Sequence, residues 1–336
     1  MKREKFSFYF NNWLYGNDGY YANYKNIGKE GDFYTSVSTS AFFGGTIGKK
    51  IVDTIKNKEL PKDTTILEIG AHHGYLLADI IQFIYTLEPT LLETLNFAIV
   101  ERFENLQTQQ KKYLQDSFGD AIRLKHYNDI SEVKLPNAFI VANEIFDAFA
   151  CELVFTKEKE LQIAYVKNHK ITFEPCNDEI IKKHCEKYKI KKGEIAVGYE
   201  EFAKTLYENI DNFVFLTFDY GDRVPRNDFS TRIYSKHEVF PIFEKGLDLE
   251  KYYKKADITY DVFFVHLIDC FKALGVEKVL FKTQVEALIE FGITELLEIL
   301  QKNVDDTTYL REAQKVKTLI EPTGMGDRFK MLLVKK

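Results

Sequence analysis

Proline is scarce, with 7 in 336 residues, and the chain holds only 4 cysteines, 3 methionines and 1 tryptophan. So little proline excludes a proline-rich linker or an extended low-complexity chain. Cys151, Cys176, Cys185 and Cys270 lie far apart and form no C-x-x-C pair. That excludes a disulfide scaffold and a clustered structural zinc site, and it suits a reducing compartment where cysteine acts as a small core residue. His126, His169, His184, His237 and His266 show no ligand spacing, so no metal centre is expected. No stretch approaches the ~18 continuous apolar residues of a membrane span. An excess of positive charge is missing too, because 51 Asp and Glu outweigh 46 Lys and Arg for a net charge of -5. Nothing therefore recruits nucleic acid or an anionic membrane by bulk electrostatics. The first ten residues, MKREKFSFYF, have neither the apolar core nor the cleavage site of a secretory signal, and Glu4 is unlike an acidic-poor transit peptide. These absences together predict a cytoplasmic protein with no membrane insertion.

What is present is globular in character, with 45% hydrophobic and 29% charged residues, in a length that suits two domains or one with an insert. Aromatics and glycines crowd residues 1–60, ahead of a helix expected over Ala41–Ile55 from the spacing of Phe42, Ile47, Ile51 and Ile55. Strands are expected over Thr64–Ile69, Leu95–Val100, Ala121–Lys125 and Ala138–Ala142, with helices over Leu76–Leu87 and Asn105–Phe118 between them. Such alternation predicts β-α-β units and a parallel, doubly wound sheet covered on both faces. Between 151 and 200 the texture changes to three short strands and a charged helix, read as an inserted α+β subdomain. Buried-strand patterning resumes at Phe213–Asp219, and the C-terminal third adds helices over 261–274 and 284–301 and a last strand at Lys330–Val334. The expected organisation is an N-terminal lid at 1–60, a core of 61–150 plus 201–336, and the insert at 151–200.

The chemistry concentrates in Ile66-Leu67-Glu68-Ile69-Gly70-Ala71-His72-His73-Gly74-Tyr75-Leu76. A strand ends on an acid, a glycine turn follows, and a helix begins. Gly70 permits the sharp turn, Gly74 is read as permitting close packing of helix on strand, and the helix N-terminus favours an anionic group. A dinucleotide site requires G-x-G-x-x-G to bring backbone against pyrophosphate. E-x-G-x-x-x-G instead fits the methionine end of S-adenosylmethionine, which disfavours a nicotinamide-dependent oxidoreductase. Glu101 closes the second strand, where an acid accepts ribose hydroxyls, and Asp129 follows the third, where an adenine amino group is held. Singly, each reads as a solvated loop acid; in this order behind the glycine loop they form a set. Asn143 and Glu144 end Phe139-Ile140-Val141-Ala142, with Asp147 three residues on. Two acids beside an amide at the carboxyl end of a parallel strand suit the orientation of a nucleophilic nitrogen; the plainer reading is a helix cap.

Six stretches, in order, resemble the MidA family of class I methyltransferases, which includes a mitochondrial assembly factor for respiratory complex I. They are Gly31–Ser36, Glu68–Gly74, Asn143–Ala148, Phe218–Gly221, Ala256–Thr259 and Met325–Lys330. The resemblance implies an α/β fold with a Rossmann-like, seven-stranded core and S-adenosylmethionine as the methyl donor. It adds Asp32 and Thr35 to a cofactor-binding set of Glu68, Gly70, His72, Gly74, Glu101 and Asp129. It also implies a protein arginine, on a respiratory-complex subunit, as acceptor, with Asn143, Glu144 and Asp147 as catalytic residues. His237, in Tyr234-Ser235-Lys236-His237, falls in a further stretch that resembles the family and is read as structural. The chain departs from the family at three places: His72 replaces the middle glycine of the loop, Val37-Ser38 replaces Pro-Glu, and Ala150 replaces a proline. The alternative these departures suggest is an assembly factor that binds the cofactor without catalysis.

Overall fold

A computed structural model describes residues 3–22 and 35–336. The chain forms two compact units, one of Met1–Tyr34, Ile145–Glu201 and Gly221–Leu267, the other of Thr35–Glu144, Phe202–Tyr220 and Ile268–Lys336.

The second unit is built on β1 (Thr65–Ile69), β2 (Asn96–Val100), β3 (Leu124–Tyr127), β4 (Leu135–Asn143), β5 (Ile210–Asp222), β6 (Lys278–Thr283) and β7 (Phe329–Lys335). Their order across the sheet is β6-β7-β5-β4-β1-β2-β3. The first five pair in parallel, whereas β7 runs antiparallel to both β5 and β6. The sheet is therefore mixed rather than parallel throughout. Sequence reading missed β6 because its six residues, Lys-Val-Leu-Phe-Lys-Thr, are short and only half-buried.

Alternate residues on one face (Phe97, Ile99, Phe139, Val141, Val214, Leu216, Phe218 and Leu333) share a core with α1 (Ala41–Lys56) and α2 (Tyr75–Leu87). Their period of two is what a strand buried on this face requires. The opposite face is covered as well: Phe215 lies 5.9 Å from Phe202 and 5.3 Å from Phe271, ring to ring. Both faces being buried explains why these strands read as continuous apolar runs. The strand order reverses direction across the sheet between β1 and β4, and in such folds ligands bind beyond the carboxyl ends of the strands at that point.

Several boundaries differ from the sequence reading. Gly119–Ala121 is a single 3-10 turn, so the strand expected at Ala121–Lys125 begins at Leu124. The helix expected over 284–301 is two, Gln284–Glu290 and Ile293–Asn303. The segment 35–60, expected in a lid, belongs to the sheet unit, because α1 buries its apolar stripe in that core.

The other unit is larger than the expected insert, since it also takes in residues 221–267. Cys151–Lys157, Glu160–Lys167, Lys170–Pro175 and Lys192–Ala196 pair antiparallel, and the helix Glu179–Tyr188 follows the third. A helix at Phe6–Tyr15 buries Phe6, Tyr9, Phe10 and Trp13 among Cys151, Leu153, Val166 and Ile258. The Trp13 indole donates to the Ala256 carbonyl at 2.7 Å. No helix among the described residues is long and apolar enough to cross a membrane.

Candidate active site

The loop between β1 and α2 sets the site's geometry. Gly70 and Gly74 hold φ of +74° and +80°, in the left-handed region that favours glycine. A Cβ at Gly74 would sit 3.7 Å from the Leu114 side chain, an ordinary contact. This corrects the expectation that Gly74 serves close packing: the backbone angle, not crowding, requires it. His72, where the family has glycine, also takes positive φ, at +49°, a conformation that costs a side-chain-bearing residue energy and clusters at functional sites. Burial and the neighbouring His73 push the His72 imidazole down to about 3, so it is neutral. The helix α2 starts with no side chain at its N-cap, and within its first turn the Leu77 amide donates to Glu68; the start of such a helix favours a ligand's carboxylate.

Glu68 is buried in β1 beneath this loop. Burial raises its carboxyl to about 8, with Asp79 and Glu101 adding to the effect and the Leu77 amide opposing it. Glu68 Oε2 and Asn143 Oδ1 are buried oxygens with no hydrogen-bond partner among the described residues, the first in a carboxyl that becomes a full acceptor once it ionises. Two orphaned acceptors suit a cationic ligand that carries N–H donors.

Glu101 at the end of β2 is also buried. Its Oε1 accepts from the Phe103 amide at 3.0 Å, and its Oε2 from Gln110 Nε2 at 3.4 Å. Gln110 donates as well to the His72 carbonyl at 2.8 Å, so the glycine loop and Glu101 are brought together. Asp129 stands apart. It is exposed, and its carboxylate caps the turn Ile130–Glu132 by accepting from the Ser131 amide at 2.9 Å. Its neighbour Asn128 is the residue tied inward, through Gln107 at 2.9 Å, and Gln107 also donates to the Glu101 carbonyl at 2.7 Å. Sequence reading passed over Gln107 and Gln110. The available signal was two glutamines on the same helical face as Leu106 and Leu114, where apolar residues are the rule.

At the end of β4, Glu144 takes φ +52°, and its amide donates to the Phe218 carbonyl of β5 at 2.8 Å. Its Oε1 accepts from Asn143 Nδ2 at 2.8 Å and from the Ser36 amide at 3.4 Å. Ser36 opens a one-turn helix capped by Thr35, whose hydroxyl accepts from the Ser38 amide while Ser38 Oγ accepts from the Thr35 amide. Ser38 thus completes a capping box where the family places glutamate, and the turn forms without that acid. Asp32 lies outside the described residues. Asp147 is buried in the other unit, where its carbonyl accepts from the Tyr260 amide at 3.2 Å.

A family model described as "Putative S-adenosyl-L-methionine-dependent methyltransferase" matches residues 46–282. The chain belongs to this methyltransferase family. It is 24% identical to a Drosophila melanogaster protein named protein arginine methyltransferase NDUFAF7 homolog, mitochondrial, over 94% of this chain and 77% of that one. It is 23% identical to the Danio rerio protein arginine methyltransferase NDUFAF7, mitochondrial, over 94% and 79%. Among solved structures it resembles a Burkholderia thailandensis protein bound to S-adenosyl-homocysteine, with a TM-score of 0.84, 21% identity, and coverage of 99% of this chain and 88% of that one.

This methyltransferase therefore uses S-adenosylmethionine, and the orphaned acceptors, the left-handed loop and the uncapped helix start all fit that donor. One expectation is overturned. The cytoplasmic location conflicts with relatives from fly, zebrafish and cattle that are named as mitochondrial proteins. It had rested on the absence of a leader pattern, and that absence does not specify a compartment.

Proposed function

We propose that this methyltransferase modifies an arginine of a protein, the activity for which its fly and zebrafish relatives are named, with a respiratory-complex subunit as the substrate that the family resemblance implies. In this reading Glu68 and the Gly70–Gly74 loop hold the methionine end of the donor, Glu101 the ribose and Asp129 the adenine side. Asp32 and Thr35 are assigned to donor binding on the family resemblance alone. The observation that carries the acceptor assignment is the Glu144 carboxylate, fixed by Asn143 at the carboxyl end of β4. Bound S-adenosylmethionine supplies an electrophilic methyl on a sulfonium. An arginine guanidinium is protonated at neutral pH, so its burial requires a carboxylate partner. Glu144 orients one guanidinium nitrogen by a charge-assisted hydrogen bond; as the new N–C bond forms, the sulfonium's S–C bond breaks with its electron pair left on sulfur, and the proton shed by that nitrogen passes to the Glu144 carboxylate and on to water. Asp147, three residues along the chain, is assigned to the acceptor on sequence alone; it lies buried in the other unit, and the acceptor reading rests on Glu144.

The test is methylation of mitochondrial extract with labelled donor, followed by mass spectrometry of the products. Wild type should label arginine. Glu144→Gln should keep donor affinity and lose roughly a hundredfold or more in rate, the scale of removing one positioned electrostatic group. Label on lysine, on a small molecule or on RNA would sink the arginine assignment, and loss of donor affinity in Glu144→Gln would move that residue to the donor site.

A further inference from the structure

Gln110 is fully buried in the middle of the helix Glu104–Phe118, yet it is polar and no part of it meets water. Its amide makes a contact on each side. Nε2 donates to the His72 carbonyl at 2.8 Å and towards Glu101 Oε2 at 3.4 Å, while Oε1 meets His126 Nε2 at 3.0 Å. Only one orientation of the amide satisfies this set, because a flip would set its oxygen against a carbonyl and a carboxylate. His126 then has to donate from Nε2. Burial and the nearby Lys111 push its imidazole down to about 4, so at neutral pH it is the uncharged tautomer with the proton on Nε2. The chain of contacts runs from β3 through the helix to both the glycine loop and the end of β2.

We propose that Gln110 is a positioning residue for the methyl donor, holding the Glu101 carboxylate and the His72 carbonyl in one fixed arrangement with His126 locking its orientation. The inference rests on the reading of Glu101 as the ribose acceptor. A purely space-filling Gln110 would be replaceable by an apolar residue of similar length, as apolar neighbours at Leu106 and Leu114 show for the same helical face. Leaving the two acceptors without their shared donor instead frees the carboxylate to turn and costs the charge-assisted bond. The hydrogen bond from Gln110 also counters the rise that burial imposes on the Glu101 carboxyl. The charged and titratable groups facing that carboxyl are Glu68 from β1, Arg102 from its own loop, and His126 from β3 by way of Gln110.

Calorimetric titration with S-adenosylmethionine and S-adenosylhomocysteine tests this in wild type, Gln110→Leu, Glu101→Gln and the double variant. Gln110→Leu should bind the donor about tenfold or more weakly, the effect of one hydrogen bond to a charged group. In the Glu101→Gln background the same change should cost severalfold less, because only the His72 carbonyl is then left to position. The loss of affinity on acidification should also begin at higher pH in Gln110→Leu than in wild type. Wild-type affinity in Gln110→Leu, or an equal loss in both backgrounds, overturns the proposal. If Glu101→Gln alone binds as wild type, the ribose reading falls; if it binds weakly while Gln110→Leu is unaffected, only the positioning role falls. Should thermal melts show Gln110→Leu unfolded, His126→Leu releases the amide without touching the helix core. Unchanged affinity in that variant would overturn the proposal equally.

Discussion

Replacing Glu68 with Gln separates what the protein needs to fold from what it needs to bind its donor. The carboxyl is buried, and its titration is moved from an ordinary 4.5 to about 8. Between those values the folded state holds the proton more tightly than the unfolded chain, so this group makes stability fall as pH rises through the window. The displacement corresponds to roughly 5 kcal/mol at its ceiling, and relaxation of the site and coupling to Asp79 and Glu101 bring the expected figure down to about 2–3 kcal/mol. Gln keeps the shape, accepts from the Leu77 amide as Glu68 does, and cannot ionise. Urea unfolding of the donor-free protein should therefore show Glu68→Gln close to wild type near pH 5 and more stable by that amount near pH 8.5. Donor affinity should move the other way, because an ionised Glu68 complements a cationic ligand and a neutral amide does not. A variant that is less stable than wild type at pH 8.5, or whose advantage does not grow with pH, refutes the reasoning.

Gly74→Ala should destabilise the fold by about 1–2 kcal/mol, the cost of a left-handed residue with a Cβ, and weaken donor binding, whereas Gly74→Asn should be milder in both. Equal effects from the two substitutions would point to bulk rather than backbone angle. In the other unit, His184 packs 4.4 Å from His266, ring to ring, and burial with that neighbour lowers it to about 4. Lys187 acts in the same direction and Glu200 against it. The neutral form is favoured in the fold, so its stability is complete above pH 6.5 and is lost as pH falls towards 4. His184→Phe should flatten the acid side of the unfolding profile by about 1–3 kcal/mol, and an unchanged slope would count against this account.

How much of the site was readable depended on how local each feature is. The loop from Glu68 to Gly74 was legible because strand end, glycine turn and helix start are contiguous. The strand and helix around it, Thr65–Ile69 and Tyr75–Leu87, begin within a residue of where periodicity put them. Gln107 and Gln110 were passed over, since their only mark is a place on the helical face of Leu106 and Leu114, a weak signal in a helix that is polar throughout. The hold of the Ser36 amide on Glu144 joins residues 108 apart in the chain, and no local pattern encodes such a pairing. Gly74 was found for the wrong reason, because sequence shows that a glycine is present and not which demand it meets.

The sequence by itself determined the class of fold, the carboxyl-end positions of Glu101, Asn143 and Glu144, and the kind of donor, because each follows from short-range alternation of strand, turn and helix. Only tertiary structure decided that the last strand, β7, enters antiparallel between β5 and β6, and that Asp147 belongs to a different unit from Glu144. Tertiary structure also decided that two carboxyls on neighbouring strands are both drawn above their ordinary range. Those outcomes depend on which surfaces bury which, and burial is a property of the whole chain.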